Sequence, residues 1–359
     1  MAFINGCLLV DAPASALNNA GTAETERTDN IVAVKSVRVR GVGDFPYVSA
    51  QAFRYWLRST LEKHPELGWK AAPIFRETKI AYTDANPIEW WDDDLFGYMR
   101  AQGKKKDQKA DREQRIADTA MTETDNDITR VSPFRVSTLI SLAPVNITED
   151  FGVMSRHEGD PVPHEHQFYR AVLKGLFSLD LAAAGTFTYK ARTGYKNLDS
   201  KRIEIAKESK LEFLEAEKAY RLPKPERIQR VSALLNGLAV LCGGAKQALH
   251  YTDVTPAVFM AAVFKGGNNP LHYIVQADEK GQPAVNETAF REIVKVWRDQ
   301  IISKIYLGWA AGFVDSQREK AQTIAGEMEK NGDIQFVTGH PREVINRMIQ
   351  DFKQSDWLE

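Results

Sequence analysis

The sequence predicts an α+β fold, a split βαβ core carrying insertions, and three observations support it. Apolar, β-branched runs open the chain and recur at residues 131–143, 175–189 and 254–264. Segments with helical spacing, residues 49–63 and 226–241, fall between them. Two other stretches, 101–127 and 144–168, are too polar or too rich in Pro and Gly for a core and read as insertions.

Residues 1–12 form a buried strand that passes into DAPASALNNAG. The small, hydroxyl and amide residues there (Ser15, Asn18, Asn19, Gly21) leave donors pointing outward with little bulk around them, a surface suited to phosphate and ribose. Residues 31–40 (IVAVKSVRVR) alternate as a strand, but the step from Val34 to Val37 is odd, which predicts a bulge near Ser36 and places Arg38 and Arg40 on one face. Ser49, following Pro46, Tyr47 and Val48, is the N-cap of a helix over 49–63. Phe53, Trp56, Leu57 and Leu61 face the core; Gln51 lies in the first turn; Arg54 and Arg58 lie four apart on another face, as an exposed anion site or as an ordinary solvated stripe.

Residues 101–127 are a solvated or mobile charged connector. Residues 131–143 (VSPFRVSTLISLA, containing Arg135) return to strand. Residues 144–168 form an irregular protruding loop, 175–189 a strand, 201–219 a charged helix, 226–241 an apolar helix and 254–264 a strand. No internal repeat is evident.

At 359 residues the chain can bury a large core. Its 43% hydrophobic and 26% charged content is ordinary for a globular protein, no run is long enough to span a bilayer, and the opening residues lack a secretory pattern, so the expected location is cytoplasmic. Cys7 and Cys242 sit far apart in apolar sequence and read as buried free thiols. The net charge is only −1, yet its distribution is uneven. Lys35, Arg38, Arg40, Arg54 and Arg58 make a basic stretch, and Asp84, Glu89, Asp92, Asp93 and Asp94 an acidic one. Opposite patches suit head-to-tail assembly.

Chemistry-bearing motifs are few. GGAKQA (243–248) offers two flexible glycines and Lys246 to an anion, or else caps a helix with a stray lysine beside it. The segment FGVMSR (151–156) sets Phe151, Val153 and Met154, apolar residues that either need a partner to cover them or pack back on the protein's own body, beside the cation Arg156. His157, His164 and His166 alternate with acids, but no HExxH or paired CxxC supports a metal. Asp92–Asp94, ahead of Leu95, Phe96 and Gly97, read as N-cap and first-turn acids, the other reading being ligands for a divalent ion. No catalytic signature or cofactor motif is present.

DAPASALNNAG, PYVSAQAFRYWLRSTL, DDDLFGYM and LCGGAKQAL, in that order, resemble the DevR-type CRISPR-associated backbone proteins, which coat the guide RNA of subtype I-B Cascade complexes. The resemblance runs from residue 1 to about residue 270; the last ninety or so carry no placeable signature. It implies one RRM-like (ferredoxin-like) palm across 1–359, with a finger-like insertion at 64–130 and a thumb at 144–168 that folds over RNA. Val153 and Met154 would be the wedge and Arg156 a phosphate contact. The implied function is a non-catalytic subunit of the RAMP type. It would polymerise along the crRNA beside other Cascade subunits and present the guide to target DNA, without a cofactor, metal or membrane.

The candidate RNA contacts are Asn18, Asn19, Arg38, Arg40, Ser49, Gln51, Arg54, Arg58, Arg135, Met154, Arg156 and Lys246. No [KR]-G-[FY]-G-F-type strand is present, so base stacking on the sheet is not expected. A metal-dependent ribonuclease using Asp92–Asp94 or His157 is the alternative, and a protein-only oligomer a third.

Overall fold

The opening apolar run is strand β1 (Phe3–Ser15), which continues past a register shift between Ala12 and Ser15. Its residues feed two cores: Ile4, Leu8, Val10 and Ala12 enter one, Cys7 and Leu9 the other. Apolar residues on both alternating faces mark a strand covered on both sides. The computed structural model describes residues 1–23, 31–76, 80–101, 121–156 and 158–359. His157 and most of the charged connector 101–127 lie outside the described residues.

Two antiparallel ribbons follow: β2 (Asn19–Ala23) with β3 (Ile31–Val34), and β4 (Ser36–Val39) with β5 (Gly43–Val48). The single strand expected over 31–40 is thus two, broken at Lys35. The break resolves the odd spacing, since Val34 is buried on β3 while Val37 and Val39 are exposed on β4. Arg38 and Arg40, expected on one face of a single strand, do not share a strand. Arg38 lies on β4, 3.0 Å from Asp44, and Arg40 sits in the turn beyond the strand.

Helix α1 (Ala50–Lys63) starts where its cap predicts. The Ser49 hydroxyl accepts from the Ala52 amide at 3.3 Å, and Phe53, Trp56, Leu57 and Leu61 are buried. Beyond it come the hairpin β6 (Ile74–Arg76) and β7 (Ala81–Thr83), the short helix α2 (Trp91–Phe96), and the pair β8 (Tyr98–Arg100) and β9 (Ile128–Arg130).

Strands β10 (Phe134–Val136), β11 (Leu139–Ser141) and β12 (Ile147–Met154) all pair with the long strand β13 (Val162–Asp180). Residues 144–168 are therefore mostly a β-hairpin rather than an irregular loop: β12 runs against β13 from Ile147↔Tyr169 to Met154↔Val162. Most of β12 is exposed, so no buried face imprinted an alternating apolar pattern on it.

Next come β14 (Thr186–Thr188), helix α3 (Ser200–Glu208), β15 (Glu212–Leu214) and β16 (Ala219–Arg221), the three strands forming a small sheet. The helix expected over 201–219 stops at Glu208. Lys210 takes a left-handed φ of 52°, and the Leu211 amide bonds back to the Ala206 carbonyl, a Schellman-type ending that turns the chain into β15. Helix α4 (Lys224–Ala239) and strand β17 (Val258–Phe264) complete the core.

The central order β17–β1–β13–β11 has antiparallel neighbours throughout, with α1 and α4 on one face, which is the split βαβ arrangement. The last ninety residues add β18 (Val275–Ala277), β19 (Pro283–Val285), α5 (Glu287–Val296), β20 (Ile305–Trp309), α6 (Asp315–Lys330), β21 (Phe336–Gly339) and α7 (Pro341–Lys353). Strands β20 and β21 extend a sheet of twelve strands among the described residues. Helix α7 joins the first face; α5 and α6 cover the second, packing Phe290, Ile293, Ile324 and Met328 against Cys7, Leu9, Met260 and Leu307. No helix among the described residues is long and apolar enough to cross a membrane.

Candidate nucleic-acid interface

The end of β1 is where three distant segments meet. The Asn18 carbonyl accepts from the Lys35 amide at 2.9 Å, its side-chain oxygen accepts from the Ser49 amide at 3.0 Å, and the Leu17 carbonyl accepts from the Ala245 amide at 3.0 Å. The Ser15 and Thr252 hydroxyls bond at 2.6 Å beside them. Leu17 and Asn18 thus pin the β3–β4 junction, the start of α1 and the 241–254 loop together, two of the bonds through backbone and one through the Asn18 side chain. A cleft of about 600 Å³ lies between them, lined by Asn18, by Tyr55, Ser59 and Lys63 of α1, and by Gly243, Gly244, Gln247 and Tyr251. Asn19 stands at the start of β2, its side-chain oxygen buried.

The glycines of GGAKQA do not cap α4, which ends at Ala239 with Val240 as its cap. They let the loop press against its neighbours. A Cβ on Gly243 would come within 2.4 Å of Trp56, and one on Gly244 within 2.6 Å of Leu17; their φ values, 156° and 108°, disfavour side chains as well. Gln247 braces the loop, donating to the Gly243 carbonyl at 2.6 Å and accepting from the Thr252 amide at 2.9 Å.

From this loop a ring stack leads onto the β12–β13 hairpin. His250 stacks on Phe168 with centroids 5.0 Å apart and lies 5.0 Å from His166, which stacks on His164 at 6.3 Å. Burial lowers the His166 pKa; Asp150, 3.3 Å away, opposes the shift, and the charges of His250 and Lys246 add to it. Further along, Phe151, Val153, Met154 and Val162 are exposed, and Arg156 is exposed in the turn. The protruding apolar surface anticipated around Met154 is present, carried on a hairpin.

The expected exposed arginine stripe is not there. Arg54 donates to the Phe134 carbonyl at 3.2 Å, the Ser132 hydroxyl at 3.1 Å and the Phe96 carbonyl. Burial, with Arg58 beside it, lowers its pKa to about 10. Arg58 lies over the Phe96 ring at 4.3 Å and 4.0 Å from Asp92; burial lowers its pKa too. Both guanidiniums fasten α2 to α1. The outward row of α1 is instead Gln51, Tyr55, Ser59 and Lys63, a stride of four that the sequence displays but that its lack of arginines hid.

The acidic patch is also internal. Asp84, Asp92, Asp93 and Asp94 are buried, and only Glu89 of that group is exposed. The three consecutive acids open α2 behind Trp90, its cap. Asp92 accepts from the Ala72 amide, Asp93 from the Thr83 hydroxyl and the Asn86 amide, and Asp94 from Arg130, Arg230 and the Gly185 amide. Burial raises the pKa of Asp92 to about 6 and that of Asp93 to about 7. Among the described residues no group of three or more His, Cys, Asp or Glu is placed to hold a metal ion.

Two more residues stand away from their expected places. Arg135 is exposed on β10, its guanidinium 5.9 Å from the ring of Phe3, so it lies at the opposite end of β1 from Ser15, a strand about 40 Å long at roughly 3.3 Å per residue. Cys242 is exposed, not buried: it lies past the end of α4 on the cleft wall, its Sγ 3.4 Å from the Thr60 hydroxyl. Cys7 is buried, which raises its thiol pKa to about 12.

No family model and no curated protein matches the chain. Solved structures do. A chain of a "CRISPR RNA-guided surveillance complex" matches with a TM-score of 0.51, and one of a "CRISPR RNA-guided surveillance complex, pre-nicking" with 0.52. Each is 11% identical; the matches cover 98% and 97% of this chain and 99% of those chains. The chain shares their fold. The likeness spans the palm, the hairpin and the C-terminal layer, including the residues in which the sequence carries no signature.

Proposed function

We propose that this protein is a non-catalytic guide-RNA-binding backbone subunit of a Cascade-type complex. It would line up in copies along the crRNA in the cytoplasm, beside other Cascade subunits, and present the guide's bases for pairing with target DNA. The observation that carries the reading is the end-to-end fold match with chains of RNA-guided surveillance complexes, joined to a cleft of amide, hydroxyl and glycine groups beneath a protruding hairpin. Such groups address ribose and phosphate without reading sequence, which base pairing then supplies.

Self-assembly no longer rests on opposite charge patches, because the carboxylates are buried. The exposed Phe151, Val153 and Met154 support it instead, as apolar surface that a neighbouring copy would cover. Of the expected contacts, Asn18, Gln51 and Lys246 stand at or beside the cleft; Met154 and Arg156 belong to the hairpin; Arg38 and Arg40 to the β4–β5 edge. The subtype I-B assignment rests on the motif resemblance.

The test is co-expression with a repeat–spacer RNA, followed by nucleic-acid content and particle mass. A multi-copy particle with ribonuclease-protected RNA is expected. An RNA-free monomer that ignores guide RNA at low salt would overturn the proposal, and cleavage of RNA with magnesium or manganese would redirect it to the ribonuclease alternative.

A further inference from the structure

We propose that Tyr55 and Tyr251 form a stacking seat for a nucleobase of single-stranded RNA, in the cleft beside Asn18. The assignment rests on the guide-binding reading above and goes beyond it, since backbone contacts alone need no aromatic rings.

Both rings are on the surface, Tyr55 69% and Tyr251 81% exposed, and both line the same cleft. Each has anchored neighbours in the chain. Tyr55 stands on α1 between buried Phe53 and Trp56. Tyr251 is flanked by His250, stacked on Phe168, and by Thr252, tied to Gln247 and Ser15. A preordered aromatic loses little entropy on stacking with a ligand.

The polar groups lining the cleft fit a nucleotide better than a bare phosphate. Asn18 spends its side-chain oxygen on the Ser49 amide, which leaves its NH₂ as the donor toward the cleft. Among the described residues Lys63 is the one cation lining it, a helical turn from Ser59. A path for phosphates alone calls for more positive charge. The volume, about 600 Å³, is in the range of small-ligand sites. The sheet face on which an RRM stacks bases is closed here by α5 and α6, so any stacking has to happen elsewhere.

The experiment uses full-length protein loaded with and stripped of its guide RNA. Tyr55→Leu and Tyr251→Leu should each weaken binding of unrelated single-stranded RNAs on the order of 10- to 100-fold, with an unchanged slope of log affinity against log salt. Tyr→Phe at either position should restore affinity, and an abasic ribose–phosphate oligomer should bind wild type and variants alike. Cys242, on the cleft wall, supplies a second readout: RNA should slow its maleimide alkylation, with buried Cys7 unreactive in both states. Leucine variants that bind RNA as tightly as wild type, or a shallower salt slope, or Cys242 alkylated equally fast with and without RNA, would overturn the seat and leave the guide-binding reading standing. Wild-type protein that takes up no RNA would overturn that reading itself.

Discussion

Asp94→Ala separates a structural from a catalytic role for the acids of α2. Asp94 is fully buried; one carboxylate oxygen accepts from Arg130 at 2.5 Å, the other from Arg230 at 2.8 Å, and both lie within 3.1 Å of the Gly185 amide. The two arginine side chains are only 3% and 2% exposed. Truncation to alanine leaves two guanidiniums inside the protein without their counter-ion, and removing one partner of a buried pair costs about 3–5 kcal/mol. A loss of that size raises the unfolded fraction roughly a hundred- to several-thousand-fold. The assay is urea unfolding of the RNA-free protein followed by tryptophan fluorescence; Trp69 and Trp91, 5.8 Å apart beside α2, report on this region. Asp94→Asn should lose nearly as much, because its NH₂, in either orientation, would face an arginine and the Gly185 amide, both donors. At temperatures where the variants remain folded, RNA affinity should be unchanged. A loss of less than about 1 kcal/mol would refute the argument, and a stable Asp94→Ala protein that no longer cuts RNA with magnesium would place the acids in a catalytic site.

Arg54→Ala should destabilise the protein by roughly 1.5–3 kcal/mol by removing charged hydrogen bonds to the Phe96 and Phe134 carbonyls. The RNA salt slope should stay as it is, and a slope shallower by about 0.7 to 1 would return Arg54 to the phosphate contacts. Asp93 gives a pH signature. Its folded pKa, raised to about 7 by burial, exceeds the unfolded one, so its contribution to stability is present below about pH 4 and lost as pH rises through 7. Asp93→Asn should therefore gain stability relative to wild type between about pH 5 and pH 8, by at most about 4 kcal/mol, and parallel urea midpoints for the two proteins across that range would sink the assignment. Gly243→Ala would push a methyl group into Trp56 at a φ of 156°. It should weaken RNA binding by shifting the loop, and equal dissociation constants would show that the loop's position does not matter.

The core was legible in the sequence because short-range physics writes it there. Ser49 capped α1 as predicted, the helical row Phe53, Trp56, Leu57 and Leu61 turned inward, and the apolar strands at 1–12 and 254–264 became neighbours in the sheet. The hairpin over 147–169 left no such mark, since a ribbon exposed on most of its length puts no constraint on alternation.

Which charges are available for function was decided only by tertiary structure. Arg54 and Arg58, or Asp92 to Asp94, look like surface groups when read along the chain, because their partners lie far off in sequence: Phe134, Gly185 and Arg230 are brought to them by packing alone. The cleft is a tertiary product too, joining Asn18, Tyr55 and Tyr251 through backbone bonds between residues 17 and 245. Local propensity and period are carried by neighbouring residues and can be read from them. Burial and ion pairing depend on how distant segments meet, and so the sequence could supply the palm while the folded chain alone determined which side chains face a ligand.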